Sequence, residues 1–229
     1  MKPARIRAIA ALAAALWLGV PAAAAQRETE TVDRSFPFGT NGHLKLRNFS
    51  GKITITGSNR ANVVVHAVRR ATRDRLDGIR LDIQASASEI EIDANKKESN
   101  WDDRENNVVE TDFDIEVPQG TSLDVQAFSS DVHVRGVEAK QRLHTFSGEI
   151  TVDDAAGPLD VETFSGDIAV DLTAAARGHV EFNSFSGSLD TDLPMTSRGG
   201  RKRNISGDIG GGGDIAFNFK TFSGDVRIK

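Results

Sequence analysis

Residues 159–172 read LDVETFSGDIAVDL and carry two alternations that do not share a phase. Leu159, Val161 and Thr163 take every second position before the Phe. Ile168, Val170 and Leu172 do so after it, one residue out of register. Successive residues of a strand face opposite sides of a sheet, so one continuous strand cannot bury both sets. The stretch therefore predicts two short strands facing one core and joined by a corner at FSG. Gly166 tolerates the positive φ such a corner can require, and the Ser165 hydroxyl can bond nearby backbone.

The unit recurs as NFSGKITI (48–55), AFSSDVHV (127–134), TFSGEITV (145–152), TFSGDIAV (163–170), SFSGSLDT (184–191), NISGDIGG (204–211) and TFSGDVRI (221–228). Its anchors are Phe49, Phe128, Phe146, Phe164, Phe185, Ile205 and Phe222, and from Phe128 onward the steps are 18, 18, 21, 20 and 17 residues. The phase slip returns at Leu143/Thr145 against Ile150/Val152 and at Leu123/Val125 against Val132/Val134. A period of this length with strand-like content predicts an all-β solenoid. Its expected form is a single-stranded parallel β-helix with coils of 17–21 residues, each rising about 4.8 Å. Phe128, Phe146, Phe164, Phe185 and Phe222 would form its corners with Gly148, Gly166, Gly187, Gly207 and Gly224. Each Phe is expected to point inward and stack on the Phe of the next coil. The hand of the helix stays open at this stage, since right-handed crossovers are the general rule but coils of 18 residues also suit left-handed helices.

These units resemble the bacterial "putative adhesin" family of β-strand repeats, a domain of unknown function. FDIEVPQGTSLDV (113–125) is similar to that family's strand–Pro–turn–strand entry, and GGRKRNISGDIGGGGDIAFNFKTFSGDVRI (199–228) to its Gly-rich final coils. The resemblance spans residues 44–229 and implies an adhesin-like role with no catalytic motif to carry over. Within that span, residues 121–229 hold the regular FSG repeats and 44–120 the irregular N-terminal coils. ANVVVHAV, EIEIDA and VVETDFDIEV read as strands there, RRATRDRLDGIRLDI as a short helix or polar excursion, and KKESNWDDRENN (96–107) as a charged loop.

The first 25 residues have the layout of a secretory signal peptide: a basic start, the apolar run AIAALAAALWLGV and small residues before a cleavage point between Ala25 and Gln26. That run is short for a membrane span, and no later stretch is long and apolar enough for one. Residues 26–43 form a lead segment. Without the leader the chain carries 25 basic against 33 acidic side chains, a net charge of −8, which argues against nucleic acid as a partner. Export without a single Cys fits a bacterial envelope protein, periplasmic first and secreted or cell-surface second.

The repeated Ser residues (Ser50, Ser129, Ser147, Ser165, Ser186, Ser206 and Ser223) invite a nucleophile, but nucleophilic Ser needs an oriented base. The five His residues fall at unrelated places in the repeat, so no catalytic residue and no cofactor is assigned. Asp131, Glu149 and Asp167 are expected to stack, with Asp208 and Asp225 further along. Turn capping is the plainer reading of such a column and a Ca²⁺ site the weaker one, because Ca²⁺ gathers six or more oxygens. Arg198, Arg201, Lys202 and Arg203 form a basic cluster in an acidic chain, suited to a glycan, an envelope surface or a partner protein. Opposite charges also alternate between coils, which would pair Arg201 and Arg203 within the chain. The chain stops just after a repeat strand, so an open coil edge for self-association is expected. The residues together describe a non-enzymatic exported β-helix acting as an adhesin-like binding or scaffold module. The alternatives are a polysaccharide-acting lyase or hydrolase on the same scaffold, and an envelope-stress sensor.

Overall fold

The computed structural model describes residues 27–97, 107–201 and 203–229, with the side chains of 197–201 left aside. Nineteen strands and one short helix follow one another among these residues. They are β1 Glu28–Pro37, β2 His43–Ser50, β3 Ile53–Ser58, β4 Asn62–Ala71, α1 Arg73–Gly78, β5 Ile79–Ala85, β6 Glu89–Lys97 and β7 Glu110–Pro118. Then come β8 Ser122–Ser129, β9 Val132–Arg135, β10 Gln141–Ser147, β11 Ile150–Ala155, β12 Leu159–Ser165 and β13 Ile168–Leu172. The chain ends with β14 Gly178–Ser186, β15 Leu189–Thr191, β16 Met195–Arg201, β17 Asn204–Ile209, β18 Ile215–Ser223 and β19 Val226–Ile228.

The strands form two facing sheets of mixed direction. One has nine strands in the order β1-β4-β7-β3-β9-β11-β13-β19-β15, and the other has ten, β16-β17-β14-β18-β12-β10-β8-β2-β6-β5. Each FSG corner carries the chain from the second sheet to the first, as the two alternations require. Leu143, Val161, Phe219 and Phe182 point inward from one sheet, Ile150, Val152, Ile168 and Val226 from the other, and all are buried. The phase slip thus turns both strands of a unit toward one apolar layer, whose burial is the main stabilising term.

The single-stranded parallel β-helix is not what the chain builds. Parallel pairing holds only in the inner stack, and antiparallel strands flank it. β4 pairs antiparallel with β1 and β7, β5 with β6, and β17 with both β14 and β16. Nor does the stack follow chain order, since β18 lies between β12 and β14, and β19 between β13 and β15. The last coil is inserted rather than added. This removes the expected open C-terminal edge, because β19 is bonded on both sides. NISG (204–207) is not a corner either. It lies within the straight strand β17, and Gly207 faces Met195 of β16.

The N-terminal flank follows from its own patterning. Val63, Val65 and Ala67 alternate inward along β4, and Ile90, Ile92 and Ala94 along β6. Arg69 is buried where β1, β4 and β5 meet, pairing with Glu30 and donating to the Ile79 carbonyl. The lead segment contributes β1, and loop 96–107 lies mostly outside the described residues, as does the leader.

The corners explain why Gly recurs. Gly148, Gly166 and Gly224 have φ of 139°, 149° and 153°, in the region costly for side chains. A Cβ on Gly166 would also lie 2.1 Å from the Gly148 carbonyl oxygen of the neighbouring coil. Gly166→Ala is therefore expected to lower stability by at least about 3 kcal/mol, adding overlap to backbone strain. Urea unfolding followed by circular dichroism measures this, and a loss below about 1 kcal/mol would mean the corner relaxes freely.

Candidate functional site

The stacked corners place six Phe side chains in one line. Ring centroids lie 4.8 Å apart for Phe49–Phe128, 4.9 Å for Phe128–Phe146 and 4.8 Å for Phe146–Phe164. The line continues at 4.6 Å for Phe164–Phe222 and 4.6 Å for Phe222–Phe185. The stacking matches expectation but the direction does not, for these rings point outward. They are 38–61% exposed. The residue before each takes the inward position, buried at Asn48, Thr145, Thr163 and Thr221 and half-buried at Ala127 and Ser184. Strand alternation then sends the Phe to the opposite face. The rings are near-parallel, within 2–6° beyond Phe128, so each covers its neighbour's face and shows its edge to solvent. The result is an apolar ridge about 24 Å long at strand spacing. A groove of about 450 Å³ runs beside its far end, lined by Phe164, Phe222, Phe185, Lys220, Asn183 and Glu162.

Three residues after Phe128, Phe146, Phe164 and Phe222, the acids Asp131, Glu149, Asp167 and Asp225 form a rail along the ridge, with Lys52 and Ser188 at the same place after Phe49 and Phe185. Asp131 Oδ1 accepts the Glu149 amide at 3.0 Å, Asp167 Oδ1 the Asp225 amide at 2.8 Å, and Asp225 Oδ1 the Ser188 amide at 2.8 Å. Asp112 begins the series by accepting the Lys52 amide at 2.8 Å. Asp131, Asp167 and Asp225 thus each bond the next coil. Asp225 also accepts the Ser188 hydroxyl, and these two bonds hold its carboxyl below the usual carboxylate range. Among the described residues no three His, Cys, Asp or Glu side chains gather as a metal would require.

The other sequence candidates disperse. The side chains of Arg198 and Arg201, and all of Lys202, lie outside the described residues. Arg203 is exposed, its guanidinium 5.9 Å from the centre of the Phe185 ring that ends the ridge. The charge alternation holds at Arg142, which lies 3.8 Å from Asp124 and 3.5 Å from Asp160. Beyond Asp160 the next strand in the sheet is β18 rather than β14, which brings Lys220 next to Glu162.

One arrangement was hidden from the sequence. His179 Nδ1 lies 3.0 Å from Asp208 Oδ1, and its Nε2 lies 3.2 Å from the Ser206 hydroxyl. That is the connectivity of a Ser-His-Asp triad. The antiparallel pairing of β14 with β17 creates it, setting His179 opposite Asp208, and nothing in the parallel repeat points to that pairing. A nucleophile also needs donors for the developing oxyanion. β17 lies between two bonded strands, which commits its amides, and Glu181 stands directly opposite Ser206. The network ties β14 to β17.

Comparison with known proteins places this architecture. The Toastrack DUF4097 family matches residues 37–229. The chain belongs to that family. Among solved structures, a "putative cell adhesion protein" from Clostridium sporogenes is similar with a TM-score of 0.65 at 12% identity, covering 88% of this chain and 99% of that one. A "putative adhesin" from Bacteroides fragilis has a TM-score of 0.29 at 10% identity, covering 87% and 97%. At 12% identity the first of these likenesses is one of fold alone. No curated protein matches.

For this Toastrack chain the ridge and the rail make separate stability predictions. Phe146→Ala removes two ring stacks and should cost about 1–3 kcal/mol by urea unfolding. Asp225 has a depressed folded pKa, so its charge contributes stability above the unfolded Asp value of about 3.9. That contribution is lost as pH falls through the lower folded value. The deficit of Asp225→Asn at pH 7 should therefore shrink below about pH 4. Unfolding midpoints measured between pH 7 and 3 test this, and a deficit constant with pH would contradict it.

Proposed function

We propose that this Toastrack protein is a non-enzymatic, exported binding module of the bacterial envelope, adhesin-like in role, and that it binds through the Phe ridge. One observation carries the reading. Six large apolar side chains are exposed in an unbroken line, and contiguous apolar surface of this kind marks interaction sites. The leader-like N-terminus supports export, with the periplasm as the first address. Among the described residues no helix is long and apolar enough to cross a membrane.

Co-sedimentation with a purified envelope fraction tests the reading. The triple variant Phe128→Ser, Phe146→Ser and Phe164→Ser, verified as folded, should lose binding at least about fivefold, as expected for central apolar contacts. Thr151→Ala, on the outer face of β11 away from the ridge, should leave binding unchanged. Equal binding by the ridge variant and the parent would refute the assignment.

A further inference from the structure

We infer that the ridge takes a basic amphipathic polypeptide segment, an apolar stripe bordered by Lys or Arg, laid lengthwise over the Phe edges. This rests on the ridge being the binding surface and adds the class of partner. The argument is charge complementarity. Asp131, Glu149, Asp167 and Asp225 stand three residues after Phe128, Phe146, Phe164 and Phe222, and all four acids are exposed. They form an anionic rail along one side of the ridge. The opposite side, two residues before each Phe, holds Gln126, His144, Glu162 and Lys220 and has no dominant sign. Asp131, Asp167 and Asp225 each use only Oδ1 for the stack. Their outer oxygens remain for an approaching cation, and rigid bonding of the inner oxygen pre-orients them.

Other occupants fit less well. Sugar rings stack on aromatic faces, but here the faces of the four inner rings are covered by their neighbours, and only one face each of Phe49 and Phe185, at the ends, is not covered by another ring. An anionic bilayer would be repelled by the rail and by the chain's net charge of −8 beyond residue 25. A second copy brings the same acids, and rings at 4.6–4.9 Å leave no gap for another ring to enter. A basic segment uses both features at once. Its apolar side chains meet the ring edges, one of them can seat in the groove beside Phe164 and Phe222, and its cations face the rail.

Calorimetric titration of the full chain with three synthetic amphipathic peptides tests this, the three sharing one apolar pattern and carrying Lys, Glu or Gln on the border. The Lys peptide should bind, and raising NaCl from 50 to 500 mM should weaken it about tenfold. The triple variant Asp131→Asn, Glu149→Gln and Asp167→Asn keeps the acceptor oxygens and should weaken it by a similar factor. Ridge contact is read independently from the Phe ring resonances by NMR, so no Phe variant has to fold. Equal binding of Lys and Glu peptides, insensitivity to the acid variants, or no binding of the Lys peptide would overturn the partner class. If phosphatidylglycerol vesicles or a neutral polysaccharide perturb the ring resonances instead, the ridge reading stands and the partner class falls. If the Lys peptide binds without perturbing them, both fall.

Discussion

In-register pairing of the corners at one strand spacing is the constraint on which the structure depends. Ser147 sits beside Ser129 and Ser165, and Ser223 beside Ser165 and Ser186. Every corner feature therefore repeats at the distance between neighbouring strands. At Gly51, Gly148, Gly166, Gly187 and Gly224 an added Cβ would run into a carbonyl of the neighbouring strand or coil, so Gly is favoured there by packing, whereas the Phe128 corner holds Ser130 at this position without a positive φ. Any side chain at the Phe position meets its own kind. A flat ring is the shape that fills such a column face to face, which makes Phe stacking a consequence of the repeat.

The same spacing makes the acid column costly, since carboxylates repeated at strand distance repel one another. At Asp131, Asp167 and Asp225 the structure offsets this by giving the carboxylate an amide of the next coil. A carboxylate that accepts backbone amides is favoured in its charged form. Asp225, which accepts both the Ser188 amide and hydroxyl, is held in its charged form in this way. The corner produces both halves of that surface, one through packing and one through hydrogen bonding.

Much of this was legible in the residues, and the failures have physical causes. The slip between Leu159/Val161/Thr163 and Ile168/Val170 gave the corner, the two facing strands and the buried set. It also implied that Phe164 faces outward, because Thr163 held the inward position. Expecting an inward Phe set side-chain hydrophobicity above alternation, and alternation prevailed. Stack order was not legible. All units share one register, so alternation cannot say whether β18 should lie beside β14 alone or between β14 and β12. The β16–β17 hairpin was hidden because NISGD imitates the corner motif while lying in a straight strand. The Ser206–His179–Asp208 network was unreadable for the same reason, since it exists only through antiparallel pairing.

Ring stacking accounts for the faces of the Phe side chains but not for their edges. A column whose only task was to fill corner space could be polar at its rim, as the neighbouring Ser residues are. Instead six consecutive coils keep Phe at an outward position, each at least 38% exposed. The coils were not stacked in chain order, and the C-terminal unit had to be inserted for Phe222 to lie between Phe164 and Phe185. In chain order the 204–211 unit would stand between Phe185 and Phe222 and put Ile205 into the line. The topology that departs from a simple solenoid thus keeps the apolar ridge unbroken, and it sets Asp225 directly beside Asp167 in the acidic rail.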